Sequence, residues 1–257
     1  MSKPLETKGY SGSAADSPGR PRTAYRGLSY RNNAELQAWL AKRPSEAALE
    51  PALPIIDPHH HLWDTPQRGL YLLPELLADT GGGHNIVSTV FLECQSMFRA
   101  GGPEEMRPVG EVEFVNGTAA MSASGQYGKT RVCEAIIGWA DLMRGAPVRA
   151  VLEAEIEAGG GRFRGVRYGT SYDEGVAGKF VSRTMPPHRL LDRKFREGFA
   201  ELGKLGLTFD SWHFHPQLPD LVDLARAFPS QTIIVDHVGG VLGVGQYAGK
   251  SAEIIPV

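Results

Sequence analysis

Cysteine is almost missing from this chain: there are two in 257 residues, Cys94 and Cys133. Each lies in an apolar, strand-like run, and no C-x-x-C redox or zinc motif exists. Two buried thiols suit a reducing compartment. A charge excess is missing as well. Lys and Arg number 27 against 29 Asp and Glu, a net charge of −2, so nothing points to nucleic acid or an anionic membrane as partner. No apolar run approaches the roughly 20 residues needed to cross a bilayer, and residues 1–30 have no apolar core of a secretory signal. No Gly-Lys-Ser/Thr follows Gly81-Gly82-Gly83, which excludes a phosphate loop. The expectation is a soluble, cytoplasmic protein acting on a small molecule, with a homo-oligomer left open.

What is present is alternation. Residues 1–28 are polar and rich in Gly, Pro and Ser, with the composition of a disordered segment. Residues 33–50 predict a helix followed by a second helical turn, so 1–52 reads as an N-terminal polar extension with short helices. From 53 to 257 the sequence reads as one domain. Strand-like runs at 53–56, 86–93, 131–137, 163–168, 207–213 and 232–237 are separated by helix-like stretches at 111–123, 148–158, 192–204 and 219–227. Such alternation predicts a parallel α/β sheet, either doubly wound or a (β/α)8 TIM barrel. Polar residues stand at or just past the C-terminal ends of the runs, where barrel enzymes carry their chemistry. A doubly wound sheet would want a Gly-rich turn after the first run, and histidines stand there instead. The barrel is the better reading. It is short, however: about six of eight strands are found, and closure takes roughly 250 residues in the usual barrel. The sequence therefore reads as a barrel with its C-terminal part missing.

Three of the eight histidines fall together in Ile55-Ile56-Asp57-Pro58-His59-His60-His61-Leu62-Trp63-Asp64. In an extended backbone His59 and His61 point one way and His60 the other. Two neutral imidazoles on one side of a strand end are half of a site for Zn²⁺ or a similar borderline cation. A polar loop that merely contains histidines is the plainer alternative; the position directly after an apolar run favours ligands.

In the fifth run, His213 and His215 share parity. His215, nearer the strand end and followed by Pro216, is the better candidate for a ligand or substrate contact, and His213 for a packed wall residue. The sixth run is wholly apolar until Asp236-His237, a pair that is costly there unless satisfied by partners. With Gly239 and Gly240 leaving room beside it, His237 reads as a site residue. Glu93 ends the second run and Arg167 the fourth. Arg167 could bind a substrate carboxylate through its planar fork, though either residue would serve equally in an ion pair inside the barrel. Asp57 either orients a ligand or caps the strand end.

The stretches Ile56-Asp57-Pro58-His59-His60-His61-Leu62-Trp63-Asp64, Phe163-Arg164-Gly165-Val166-Arg167-Tyr168, His215-Pro216-Gln217-Leu218-Pro219 and Val235-Asp236-His237-Val238-Gly239-Gly240 together resemble the amidohydrolase superfamily. More narrowly they are similar to its amidohydrolase-2 group of metal-dependent TIM-barrel hydrolases, over about residue 53 to the end. Its relatives include sugar-lactone and pyrone-dicarboxylate lactonases and non-oxidative decarboxylases. The resemblance implies His59, His61, His215 and His237 as metal ligands and Arg167 as the holder of an anionic substrate. With the positions at the run ends, this gives Arg167, Glu93 and His215 as expected substrate contacts and His237 with Arg167 as the expected catalytic pair. The implied cofactor is a divalent metal, zinc first and manganese second, although some lactonases of the group work without metal. The group's Asp after strand eight, which binds the metal and takes the proton of water, has no counterpart here, and no strand-four Lys is present to bridge two metals. The implied function is metal-dependent hydrolysis of a lactone or related bond in a small carboxylated or sugar-derived substrate. A decarboxylase on the same site and an inactive remnant are the alternatives.

Overall fold

Short runs of β-branched and aromatic residues form the strands β1 (Pro54–His60), β2 (Trp63–Thr65), β3 (Gly69–Tyr71), β4 (Asn85–Leu92), β5 (Arg131–Gly138), β6 (Phe163–Gly169), β7 (Thr208–Trp212) and β8 (Ile233–Val235). The computed structural model describes residues 33–44, 46–65, 69–179, 181 and 185–254; the polar stretch over 1–28 lies outside the described residues. Strands β1, β4, β5, β6, β7 and β8 pair in that order, all parallel. Strands β2 and β3 form a separate antiparallel hairpin. The helices of eight residues or more are α1 (Asn33–Leu40), α2 (Leu73–Thr80), α3 (Val109–Ala123), α4 (Arg149–Ala158), α5 (Arg193–Lys204) and α6 (Leu218–Ala227), and α2 to α6 each lie in one of the five crossovers.

Helix α5 shows how local sequence builds a layer. The Asp192 carboxylate accepts from the N–H groups of Lys194 at 2.7 Å and Phe195 at 3.2 Å, capping two otherwise orphaned donors. Phe195, Phe199 and Leu202 then recur at helical spacing and are fully buried. The rings of Phe195 and Phe199 meet that of Phe209 of β7 at centroid distances of 6.1 and 5.0 Å. The core is this layer between sheet and helices, continued by Val112 and Val115 of α3, Leu152 of α4 and Leu224 of α6.

Period-two alternation sends the other residues inward. In β6, Val166 and Tyr168 join the helix-side core while Arg167 faces the opposite way. In β7, Phe209 joins that core and Asp210 pairs in register with Arg167. The sheet curls, so that His59 at the end of β1 and His237 after β8, on opposite edges of the sheet, bring their rings to 4.8 Å. The result is a curled half-barrel, an α/β architecture that corresponds to an incomplete TIM barrel. Its edges expose Ile56 on β1 and Val235 on β8.

All six expected sheet strands are found, with ends shifted by a few residues. The second helical turn expected within 33–50 does not form: α1 is followed by turns. Pro44 and Pro51 disfavour helical backbone in the residues before them, and the six residues between are too few to sustain a helix unaided. The hairpin and α2 were not foreseen. Helix α2 carries its own signal, Pro74 in the first turn and Glu75 accepting from the Leu72 N–H at 2.9 Å. Among the described residues no helix is long and apolar enough to cross a membrane.

Candidate active site

The C-terminal ends of the strands surround a cavity of about 290 Å³ whose walls include His61, Glu93, Arg167, Trp139, Trp212 and His237. Strand β1 supplies the histidines. Asp57 accepts from the His59 N–H at 3.1 Å, which steadies the end of the strand. The rings of His59 and His61 lie 5.0 Å apart, edge to face. His60 turns away into the interior, where its Nε2 pairs with Thr89 Oγ1 at 2.8 Å. His61 Nδ1–H donates to the Leu92 carbonyl at 2.8 Å, which fixes the tautomer with its lone pair on Nε2. Burial, then the neighbouring His61 and Arg167, lowers the pKa of His59 to about 4, so His59 is neutral at ordinary pH.

Arg167 is held from two sides. Its Nε donates to Glu93 Oε1 at 2.9 Å and its Nη2 to the Glu93 carbonyl. Nη1 is left to point at His59 Nε2, 3.3 Å away, and at Asp236 Oδ2, 3.9 Å away. Burial and then the charge of Asp236 push the Asp210 carboxyl up to about 7, and burial also raises Asp236.

His237 is aimed by an unusual turn. His237, Val238, Gly239 and Gly240 are all left-handed, with φ of 50°, 55°, 72° and 60°. This costs two non-glycine residues roughly 1–3 kcal/mol each. The turn ends in a close approach: a Cβ on Gly240 would stand 2.0 Å from the His213 carbonyl oxygen, so only glycine fits.

Of the residues read from sequence, His59, His61, Glu93, Arg167 and His237 come together here. His215 does not join them. It begins a short 3-10 turn, its Nδ1 accepts from the Leu242 N–H at 3.3 Å, and its ring packs on Tyr247. His213 is buried with Nδ1 on Ser211 Oγ at 2.9 Å and no partner for Nε2 among the described residues. Asp236 was the donor missed. Its signal was legible as the charge ending an apolar run, and the neighbouring His237 drew the ligand role instead.

Donor atoms of His59, Asp236 and His237 all lie within 4.8 Å of one another. Asp236 Oδ2 is buried with no hydrogen-bond partner among the described residues. Two imidazoles and a carboxyl group are donors that suit a borderline divalent cation, so the donor set fits such an ion. The His59 lone pair accepts one partner at a time, making ion and guanidinium alternatives at that atom.

The sequence pattern of the Amidohydrolase family matches residues 56–255. An uncharacterized protein, y4mH, of Sinorhizobium fredii strain NGR234 is 28% identical over 206 residues, covering 72% of this chain and 62% of its own. An amidohydrolase from Burkholderia multivorans, solved with bound zinc, shares 24% identity over 72% of this chain and 57% of its own, with a TM-score of 0.48. Amidohydrolase 2 from Bifidobacterium longum subsp. infantis shares 18% over 76% and 66%, with a TM-score of 0.45. The chain thus spans less than two thirds of the length of these relatives. With more than three quarters of its residues inside the family pattern, from the histidines of β1 to the segment after β8, this chain belongs to the amidohydrolase family.

Proposed function

We propose that the site hydrolyses a lactone or related carbonyl bond in a small carboxylated or sugar-derived substrate, assisted by a divalent metal ion, zinc first. The observation that carries this reading is the convergence of His59, His237 and Asp236 beside Arg167 at the mouth of one cavity. His59, His237 and Asp236 would hold the ion, with His61 beside them. When bound, the ion supplies a water of lowered pKa and polarises the scissile carbonyl.

The chain's own residues do the remainder. Arg167, fixed by Glu93, presents a preset cation to a substrate carboxylate. Trp139 and Trp212 wall the cavity and exclude water from the reacting group. His237 stands at the mouth, a ligand in the loaded form. The contact between Arg167 and His59 supports a second form of the same reading, hydrolysis without metal, in which Arg167 polarises the carbonyl and His237 takes the proton of the attacking water.

The test is a panel of sugar lactones and carboxylated lactones followed by acid release, with zinc, with manganese and with chelator. Turnover that falls by about 10² or more in Arg167→Gln and His237→Ala is expected. Zinc-loaded, folded protein that opens no lactone contradicts the reading, and release of carbon dioxide from a carboxylated substrate would replace it with decarboxylation.

A further inference from the structure

Glu111 lies in the first turn of α3, does not line the cavity, and is 1% exposed. A buried carboxyl needs partners, and those it has lie on the turn that leaves β4. Its Oε1 accepts from the Ser96 N–H at 2.7 Å and the Cys94 N–H at 3.0 Å, and takes the Cys94 thiol at 3.6 Å. Between and beyond those donors, Gln95 and Met97 are left-handed without being glycine, at φ 64° and 54°. Residues held in such backbone persist only when their surroundings over-determine them.

The neighbouring residue tightens the same junction. A Cβ on Gly110 would stand 2.7 Å from both the Met97 carbonyl oxygen and the Arg99 nitrogen, so the start of α3 meets the turn backbone to backbone. The turn in question begins with Glu93, which grips Arg167 through its carboxylate and its carbonyl. It also carries Gln95 into the cavity wall.

We propose that Glu111 is a positioning residue of the site: by holding the Cys94 and Ser96 amides it sets Glu93, and through Glu93 it aims the Arg167 guanidinium. The role in substrate binding rests on the reading of Arg167 as anion anchor; the positioning of Arg167 does not. Burial pushes the Glu111 carboxyl up to about 8, so at neutral pH it is a neutral acceptor and an amide oxygen can replace it. That separates positioning by an acceptor from a role for charge or for filled volume.

The experiment reads Arg167 directly. In a ¹H–¹⁵N spectrum its Nε–H, buried on Glu93, gives a protected resonance, assigned by its disappearance in Arg167→Gln. Glu111→Gln is expected to keep that resonance and its protection within about threefold. Glu111→Met, which fills the volume without an acceptor, is expected to lose it or speed its exchange at least about tenfold, with amides of β6 and β7 unchanged. Glu111→Asp, with the carboxyl withdrawn by one methylene, is the second variant if the Met variant does not fold, with the same loss in part. An unchanged Nε–H in Glu111→Met, or its loss in Glu111→Gln, overturns the proposal. Lactone kinetics separate the underlying reading: KM rising at least about tenfold in Glu111→Met but not in Glu111→Gln supports both. A resonance that behaves as expected in a protein that opens no lactone overturns only the hydrolase reading.

Discussion

The Arg167 guanidinium and the His59 imidazole meet at 3.3 Å, Nη1 to Nε2. A neutral imidazole offers one lone pair, so a metal ion held by His59, as proposed, would compete with the arginine for it. Glu93 prevents the arginine from withdrawing freely, since it holds both Nε and Nη2. The site is thereby built around one resident cation with donors for a second.

Arg167→Gln is therefore expected to bind zinc more tightly, by at least about tenfold, the worth of one charged hydrogen bond at about 1.4 kcal/mol. The same variant is expected to lose affinity for an anionic substrate. Competition against a chromogenic chelator measures the first effect. Unchanged or weaker zinc binding would mean that the guanidinium and the ion do not share His59.

Glu155 of α4 is fully buried, and neither carboxyl oxygen has a hydrogen-bond partner among the described residues. Burial first, then Glu111 and Glu93, raises its pKa well above 4.5, while Glu111 is raised to about 8. Between those values the folded chain keeps protons that the unfolded chain has released. The contribution of each such carboxyl falls as pH rises from about 4.5 toward 8, by up to about 1.4 kcal/mol per pH unit. It is unopposed above about 6.5, where His59 and His60, held neutral in the folded chain, no longer act in the other direction. Glu155→Met, similar in shape and without a charge to bury, is expected to gain about 1–3 kcal/mol at pH 8 and less at pH 5. Urea melts at the two pH values check this; a variant no more stable than the wild type at pH 8 would show that Glu155 is satisfied.

Gly239 and Gly240 are both left-handed, but their surroundings differ. A Cβ at 239 meets Leu218 side-chain atoms no nearer than 3.5 Å, whereas one at 240 meets the His213 carbonyl at 2.0 Å. Gly239→Ala is expected to cost only the backbone penalty, about 1–2 kcal/mol. Gly240→Ala is expected to cost about 2 kcal/mol or more and to displace His237 from its partners. Denaturant melts with zinc titration separate them; equal losses would mean that the turn can slide off β7.

The six sheet strands were legible because each is a short apolar run closed by polar residues. The shared direction of His59 and His61 followed from period two, and Arg167 was marked by its place at the end of a run. Other features needed the third dimension. His215 shares parity with His213, but the chain leaves the strand at Trp212 and a 3-10 turn begins at His215 itself, so parity ceases to apply. Asp236 stands beside a histidine on the sequence, and only the curl of the sheet brings both to His59. Glu111 reads as an ordinary first-turn acid of a helix; its partners on the β4 turn are 15 and 17 residues away in the chain.

If His59, Asp236 and His237 together hold one cation, as proposed, the metal content of the protein depends on each of them. Protein purified without chelator or affinity metal would be measured by plasma mass spectrometry after incubation with equimolar zinc and gel filtration, beside His59→Ala and Asp236→Asn. About one equivalent of zinc in the wild type, falling to below about a tenth in both folded variants, is the predicted result. Zinc absent from the folded wild type, or retained in full by both variants, would contradict the site.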